Sequence, residues 1–220
     1  MQEIVKDYLW ISKISEIDNT ILYNTCVDIE KDLSQKYKNE NVKDNNYNTF
    51  GSLTTQIHSK YNVFSYPCPE LHKLYCAIGH EIKQVVEPGK YYLQCWVNLF
   101  QENGNIDWHT HFIPEVKGYH GFYCVNTENV PSYTTYKIPH ILPKDVGIKV
   151  DSIDGLLVFG KSENDEHKTS EWNYKDKPRV TIAFDVVPVM PINFSDYINQ
   201  NKNSSFRQLR PPTNFIPLFI

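Results

Sequence analysis

The stretch DWHTHFIPE, residues 107–115, places two histidines two positions apart, at His109 and His111. Because successive side chains of a β-strand point to opposite faces, both imidazoles would project from one face of an extended segment. A third histidine, His167, follows later in the chain. Three converging imidazoles can occupy one face of an octahedral iron and leave the other open for oxygen and a co-substrate. The spacing predicts an iron site, and two histidines in a hydrogen-bonded polar cluster are the structural alternative.

An arginine opens the apolar segment RVTIAFDVV, residues 179–187. Alternation along that predicted strand puts Thr181 on the same face as Arg179. A guanidinium with a hydroxyl two residues later suits a fork-like grip on a carboxylate. The alternative is an arginine at the rim of the domain that pairs with one of the acidic residues of segment 163–171.

These residues lie among short segments that are rich in β-branched and aromatic residues and are separated by turn residues. The segments are 91–100, 107–112, 120–126, 134–138, 147–150, 154–159 and 179–187. Short strands at a spacing of about ten residues predict an antiparallel sandwich or barrel. His167 follows the segment DGLLVF and is expected in a loop or at a strand edge. No glycine-rich phosphate-binding motif follows a strand, which disfavours a nucleotide-binding α/β fold.

The segments outside this β-rich region have a different character. Helical periodicity predicts one helix over residues 15–38, with Ser15 as its N-cap, and a second over 69–86. The polar residues 39–60 between them are expected to form a long loop. The tail 191–220 ends in an apolar stretch after two prolines, which is expected to dock on its own domain or on a neighbouring subunit.

Composition excludes several classes of protein. The 220 residues carry a net charge of -4, which disfavours a general nucleic-acid-binding surface. No apolar run is long enough for a membrane span, and the N-terminus lacks the layout of a signal peptide, so a cytoplasmic location is expected. The five cysteines are odd in number and lack CxxC spacing, which disfavours a disulfide framework and a zinc ribbon.

Several motifs together resemble a known family. The order W96-V-N98, G104, H109-x-H111 and G121-F-Y123 is similar to the pattern WxN…G…HxHP…SGvYY of 2-oxoglutarate and Fe(II)-dependent oxygenases. Downstream, DGLLVF, His167 and RVTIAF resemble G-LLLF…H…R-iSiaF in the same family. The resemblance covers about residues 91–188. Phage-encoded members look most similar, which would place the protein in the cytoplasm of a host cell.

The resemblance implies a mainly β fold, the double-stranded β-helix or jelly roll, and the predicted N-terminal α-helices would flank it. With those helices and the tail, the chain is expected to have three parts. A helical extension over residues 1–88 would pack on the barrel, residues 89–190 would form the catalytic core, and residues 191–220 would form a tail.

The resemblance also implies cofactors and roles. Fe(II) would be the metal, 2-oxoglutarate the co-substrate and O2 the oxidant, with no catalytic residue beyond the metal ligands. The implied metal ligands are His109, His111 and His167, and the implied co-substrate residues are Arg179, Thr181, Tyr123 and Asn98. Hydroxylation is the expected reaction, with a protein side chain such as proline as the leading substrate and residues 127–140 as a lid. Neither a nucleic acid nor a membrane is an expected partner, and a homodimer is left open.

The chain departs from the family pattern at the acidic ligand position. Most such oxygenases have His-x-Asp or His-x-Glu, and this position is His111 here. Asp107 and Glu115 are the candidates for the missing carboxylate. HGFY replaces SGvY, and the new histidine, His120, is close in sequence to the predicted site. A structural role is expected for it, and a role in supporting the site or contacting substrate is the alternative.

Two other functions stay open. In a cupin-type metalloprotein, Glu115 would be a fourth ligand and 2-oxoglutarate would not be needed. In a jelly-roll interaction protein, the histidine site would be vestigial.

Overall fold

A computed structural model describes residues 7–38, 49–50, 52–111, 118–138, 142–143, 145–162, 165–188 and 215–220. The N-terminal elements are β1 (Leu9–Lys13), α1 (Asn19–Lys36), β2 (Thr49–Phe50), α2 (Leu53–Gln56) and α3 (Pro69–Ile82). The remaining elements are β3 (Lys90–Phe100), β4 (Asn105–Ile106), β5 (Tyr119–Asn126), β6 (Tyr133–Lys137), β7 (Ile148–Asp151), β8 (Leu156–Lys161), β9 (Glu166–Thr169), β10 (Arg179–Pro188) and β11 (Ile216–Phe219).

Two antiparallel sheets form the body of the protein. The main sheet has the strand order β1-β8-β5-β10-β3-β11, and the second has the order β7-β6-β9. An isolated bridge pairs His109 with His167, so the segment carrying the histidine pair extends the second sheet beyond β9. Strands that are neighbours in a sheet are mostly distant in sequence, as expected of two interleaved sheets. This architecture is the jelly roll, and the mainly β prediction is confirmed.

The outer face of the main sheet is covered by helices. Residues Leu22, Cys26, Ile29 and Leu33 recur along α1 at steps of three and four, and all are buried. This spacing gives the helix one apolar stripe, which packs against the outward-facing side chains of the sheet. Burial of that stripe against the sheet is the main reason why residues 19–36 form a helix in the folded protein.

The predicted helix boundaries were approximate. Helix α1 begins at Asn19, because Asp18 rather than Ser15 caps it and accepts hydrogen bonds from the N–H groups of Thr20 and Ile21. The second predicted helix corresponds to α3 and ends at Ile82, four residues before the predicted end. A carboxylate at the N-cap satisfies two backbone donors and opposes the positive end of the helix dipole, which favours Asp18 over the earlier serine.

Three segments differ from the sequence expectations. The expected loop 39–60 contains helix α2 and a 3₁₀ turn at His58–Lys60 in its described part. The N-terminal extension is not only helical, because β1 pairs with β8 at the edge of the main sheet. Residues 216–219 pair with β3 of the same chain, and residues 191–214 lie outside the described residues.

The expected lid over residues 127–140 is also different. Its central part is β6, which pairs with β7 on one side and with β9 on the other. A strand with neighbours on both sides cannot move independently as a lid. Residues 139–140 lie outside the described residues. Among the described helices, none combines the length and the apolar character needed to cross a membrane.

Close packing of the main sheet leads to a prediction for Gly121. A Cβ at this position would lie 2.3 Å from the carbonyl oxygen of Val158 and 2.6 Å from the ring of Phe184. Because the backbone oxygen belongs to a paired strand and cannot retreat, Gly121→Ala should destabilise the protein by about 2–3 kcal/mol. Thermal unfolding should show a melting temperature lower by roughly 5–10 °C.

Gly89→Ala is the matched control. Its added Cβ would meet Tyr91 at 3.5 Å and the carbonyl oxygen of Glu87 at 3.9 Å, which are ordinary contacts, so the melting temperature should change little. Equal effects of the two substitutions would contradict the strand packing described here.

Candidate metal and co-substrate site

Four histidine rings form a cluster between the two sheets. The ring centroids of His109 and His167 are 4.2 Å apart, and those of His111 and His167 are 5.1 Å apart. His120 lies 4.6 Å from His111 and 4.5 Å from His167. One ring nitrogen from each of His109, His111 and His167 lies within 4.8 Å of the other two. The structure therefore brings together the three histidines that the spacing singled out.

Hydrogen bonds set the orientation of the paired histidines. The Nδ1 of His109 is 2.8 Å from the backbone carbonyl oxygen of Asp107. The Nδ1 of His111 is 2.6 Å from Oδ1 of Asp185. Both partners are acceptors, so each imidazole donates from Nδ1, and its Nε2 is the atom that would bind a metal.

A second group of possible metal ligands shares His167 with the first. It consists of His120, Asp165 and His167, which are all buried and lie within 4.8 Å of one another. The Nε2 of His120 donates to Oδ2 of Asp165 over 2.6 Å. The other carboxylate oxygen of Asp165 and the Nδ1 of His167 are buried without a hydrogen-bond partner. Each such group costs about 1–3 kcal/mol unless a ligand satisfies it, so these atoms point to a bound group.

The environment keeps two of the predicted ligands neutral. Burial, with a smaller contribution from the neighbouring His111, lowers the pKa of His109 to about 3. Burial also lowers the pKa of His167 well below its usual value, and three nearby imidazoles add to the effect. A metal binds the neutral imidazole, so neither site needs to lose a proton at neutral pH before a cation enters.

His111 behaves differently from the other two. Burial lowers its pKa, but the carboxylate of Asp185 raises it by more, so the pKa is raised overall. An opposite charge within hydrogen-bond distance favours the protonated ring. The raised pKa of His111 is thus a consequence of the carboxylate oxygen of Asp185, which lies 2.6 Å from its Nδ1.

Of the two expected sources of the missing carboxylate, the structure describes only Asp107, which lies outside the cluster. Asp107 is exposed, and its Oδ1 accepts a hydrogen bond from the backbone N–H of Trp108. Glu115 lies outside the described residues. The carboxylates that do lie among the histidines are Asp165 and Asp185, which the sequence reasoning missed. Their signal was alternation, because Asp165 is two residues before His167 and Asp185 continues the face of Thr181.

Arg179 is placed on the same face of β10 as Thr181 and is 1% exposed. Its guanidinium lies 4.8 Å from the centre of the Phe100 ring and reaches Ser170 only at 3.5 Å. Its Nε and Nη2 have no hydrogen-bond partner. Burial lowers its pKa to about 10, which leaves the group charged at neutral pH. Among the residues that the structure describes, no carboxylate forms an ion pair with Arg179, so the rim-arginine alternative does not fit.

Asn98 and Thr181 form a polar network beside the arginine. They are direct partners across β3 and β10, and Nδ2 of Asn98 donates to Oγ1 of Thr181 over 3.2 Å. The amide oxygen of Asn98 accepts from the indole of Trp96 and from the hydroxyl of Thr55. Helix α2 therefore supports this side of the site, although its segment was expected to be a loop.

Tyr123 does not lie in the site. Tyr123 stands opposite Ile182 of β10, whereas Cys124 stands opposite Thr181. Because alternation puts Ile182 and Thr181 on opposite faces of the strand, Tyr123 lies on the helix side, where its hydroxyl donates to Asn19 over 2.8 Å. This placement contradicts the expectation that Tyr123 reaches the co-substrate.

Two residues that were not predicted as site residues lie beside the histidines, between the two sheets. His120 belongs to the histidine cluster, which favours the alternative of a role near the site over the structural role that was expected. Tyr136 is buried, its ring centroid lies 5.2 Å from that of His167, and its hydroxyl has no hydrogen-bond partner. Tyr136 and His167 are partners across β6 and β9, a relation that the sequence alone does not reveal.

Comparisons with known proteins establish the fold. No family model matches the sequence, and no curated protein matches it. The structure is similar to a prolyl-4-hydroxylase from Pseudomonas putida, with a TM-score of 0.54 and 9% identity over 86% of this chain and 97% of that chain. It is also similar to a prolyl hydroxylase from Trichoplax adhaerens in complex with a hypoxia inducible factor peptide, with a TM-score of 0.53 and 11% identity over 84% and 86%.

A third similar structure is SnoK, a non-heme alpha ketoglutarate dependent carbocyclase from nogalamycin biosynthesis. Its TM-score is 0.57, with 11% identity over 88% of each chain. Two of these three solved structures are thus prolyl hydroxylases, and the third is an alpha ketoglutarate dependent carbocyclase. At these identities, what the chain shares with them is the jelly-roll fold.

The lowered pKa values predict how stability depends on pH. When a histidine's pKa is lower in the folded state, the unfolded chain takes up the proton first, so stability falls as the pH drops below about 6.5. For His109 the fall continues to its folded pKa of about 3. His111 does not oppose this loss of stability. Because its pKa is raised in the folded state, its contribution to stability is fully present below about pH 6.5 and is lost only at higher pH.

Urea unfolding of the metal-free protein at pH 7, 6 and 5 measures this effect. His109→Gln should make the pH dependence shallower by about 1.4 kcal/mol per pH unit. A dependence identical to that of the unsubstituted protein would contradict the buried, neutral state of His109.

Proposed function

We propose that this protein is an Fe(II)- and 2-oxoglutarate-dependent dioxygenase that hydroxylates its substrate. The observation that carries the proposal is the buried guanidinium of Arg179, whose Nε and Nη2 have no partner. A buried cation without a counter-ion is costly, and a bound carboxylate would supply both the charge and two hydrogen bonds. Arg179 lies on the strand face that also carries Asp185, the hydrogen-bond partner of His111. A dicarboxylate that reaches from the histidines to the arginine fits this arrangement.

The donor set fits a first-row divalent metal. His109, His111 and His167 offer nitrogen atoms that lie close together, and imidazole suits iron among other transition metals. Three ligands leave coordination positions open for a co-substrate and O2. When bound, iron and 2-oxoglutarate would supply the oxidising chemistry, and the chain would supply binding, orientation and exclusion of water.

The proposed roles of the co-substrate residues follow from their contacts. Arg179 holds the distal carboxylate of 2-oxoglutarate through two N–H groups. Thr181 donates its hydroxyl proton to the same carboxylate, since its oxygen already accepts from Asn98. Asn98 fixes the orientation of that hydroxyl and closes the side of the pocket. Tyr123 has no role in this pocket because it faces the helices.

The core that would carry this chemistry spans residues 89–190, and the N-terminal helices and C-terminal strand support its main sheet. The similarity to two prolyl hydroxylases, one of them with a bound peptide, favours a peptide or protein side chain such as proline as the substrate. The cupin alternative is less favoured because it gives Arg179 no ligand. A vestigial site is less favoured because a protein without a bound anion has no use for a buried, unpaired guanidinium.

Loss of a ligand histidine should abolish metal binding. After chelation and anaerobic reconstitution with Fe(II), His109→Ala and His167→Ala should each lose stoichiometric iron, measured by elemental analysis of the desalted protein. Glu115→Ala should keep its iron, whereas a cupin-type site would lose it. Stoichiometric iron in either histidine variant would refute the ligand set.

Loss of the guanidinium should act on the co-substrate and leave the metal in place. Arg179→Met keeps the apolar length of the side chain but removes a charged grip of about 3 kcal/mol, so 2-oxoglutarate affinity should fall about 100-fold. Calorimetric titration of the anaerobic iron-loaded protein measures this affinity, and succinate formation should be lost in parallel.

Lys177→Met is the matched control for Arg179→Met. Lys177 is a half-buried cation two residues before Arg179 that pairs with Glu128, so its loss should leave 2-oxoglutarate binding unchanged. Unchanged succinate formation in Arg179→Met would disprove the assignment.

A further inference from the structure

The histidine pair at the proposed metal site is asymmetric. His109 donates its Nδ1 proton to a neutral backbone carbonyl, whereas His111 donates to a carboxylate. The distance of 2.6 Å from His111 to Asp185 is short, as expected of a charge-assisted hydrogen bond. Both side chains are only 11% exposed, so water screens the interaction little. The two residues of the HxH motif therefore sit in different electrostatic environments.

Asp185 is held rigidly. It lies in the middle of the main sheet, where β10 pairs with β3 on one side and with β5 on the other. Its direct neighbours across the strands are Gln94 and His120, and the His111 ring faces it from the second-sheet side. Because the backbone on both sides is paired, the carboxylate cannot move away from His111 without disturbing the sheet.

A carboxylate in this position changes what His111 offers to a metal. A carboxylate that accepts the Nδ1 hydrogen of a metal-binding histidine fixes the tautomer, orients the ring and raises the basicity of Nε2. Asp185 would in this way increase the electron density on Nε2 of His111, the atom that binds the metal. Three neutral imidazoles around a divalent ion would give a net charge of about +2, and a carboxylate that acts through one of them lowers the effective charge.

We infer that Asp185 acts through His111 as the negative charge of this metal site, in place of a directly bound carboxylate ligand. Asp185 would position the His111 ring through its hydrogen bond to Nδ1, and His111 would remain the metal ligand. The inference rests on the proposed function, because it takes His111 as a metal ligand. It replaces Asp107 and Glu115, the two candidates for the missing acid, with a residue of the central strand.

The first test removes the charge and keeps the shape. Asp185→Asn retains an oxygen that can accept the Nδ1 proton of His111, but it carries no charge. Its affinity for Fe(II), measured anaerobically by competition with a chromophoric chelator and without 2-oxoglutarate, should fall about 10–100-fold. The midpoint potential of the bound iron should also rise, because the variant has lost a negative charge that would stabilise the ferric state.

Asp154→Asn is the matched control. Asp154 is a half-buried carboxylate that accepts hydrogen bonds from the backbone and hydroxyl of Thr127, away from the histidines. Its loss should change neither Fe(II) affinity nor potential. If Asp185→Asn binds Fe(II) as tightly as the unsubstituted protein and at the same potential, the inference is overturned.

The second test restores a carboxylate directly. His111→Asp places an anionic ligand at the metal, so Asp185 should no longer be needed for charge. We expect Fe(II) affinity to differ by no more than about twofold between His111→Asp and the double variant His111→Asp with Asp185→Asn. An additive loss, equal to the effect of Asp185→Asn alone, would mean that Asp185 acts only by packing and would overturn the inference.

The two proposals can fail separately. If the unsubstituted protein binds Fe(II) and responds to His109→Ala, but Asp185→Asn has no effect, only the inference about Asp185 falls. If the unsubstituted protein takes up no iron at all, the proposed function falls first and the inference falls with it.

Discussion

Two backbone hydrogen bonds between His109 and His167 hold the site together. The N–H of His109 donates to the carbonyl of His167 over 3.1 Å, and the N–H of His167 donates back over 3.0 Å. This single antiparallel pair attaches the HxH segment to the edge of the second sheet, next to a stretch that the structure does not describe. The pair brings two imidazoles into contact, and alternation along the extended segment then brings in the third.

The space between the two sheets, called the chamber here, has charged side chains from one strand, β10. Near the middle of β10, Asp185 faces the imidazole cluster. At the beginning of β10, Arg179 is buried and has no counter-ion among the described residues. The two charges have opposite sign and lie on the same face, separated by Thr181 and Ala183. A cation at the histidine end and a carboxylate at the arginine end would complete the electrostatics of the chamber, because each buried charge would gain a partner.

Much of this arrangement was predictable from local sequence patterns. Most strand segments and the common face of Arg179 and Thr181 follow from the period of two. The predicted strand 107–112 is different, because its described part forms only an isolated bridge at His109. The jelly roll followed from the number and spacing of the strands together with the family resemblance. The predictions that failed depended on other things. Tyr123 was assigned by motif position, but it pairs with Ile182 and therefore lies on the face opposite to that of Thr181. That register depends on the partner strand, so the sequence of β5 alone does not reveal it.

The residues that the sequence reasoning missed were missed for a related reason. His120 and Asp165 are far apart in the chain and meet only because β5 and the start of β9 face each other across the two sheets. Asp185 was visible as a continuation of the Arg179 face, but nothing local indicated that a histidine from another sheet would reach it. The support that α2 gives to Asn98 is a further long-range contact from a segment that looked like a loop.

The sequence by itself therefore determined which side chains share a face, because that property depends only on the backbone geometry of neighbouring residues. It also determined the chemical types available: imidazoles for a metal and a guanidinium for a carboxylate. Only the tertiary structure decided which faces meet and in which register. Those choices are made by pairing between distant strands and by burial of the two sheets against each other and the helices. They decided that the acid beside the histidines is supplied by β10 and the segment before β9, and that the tyrosine of the motif is not in the site.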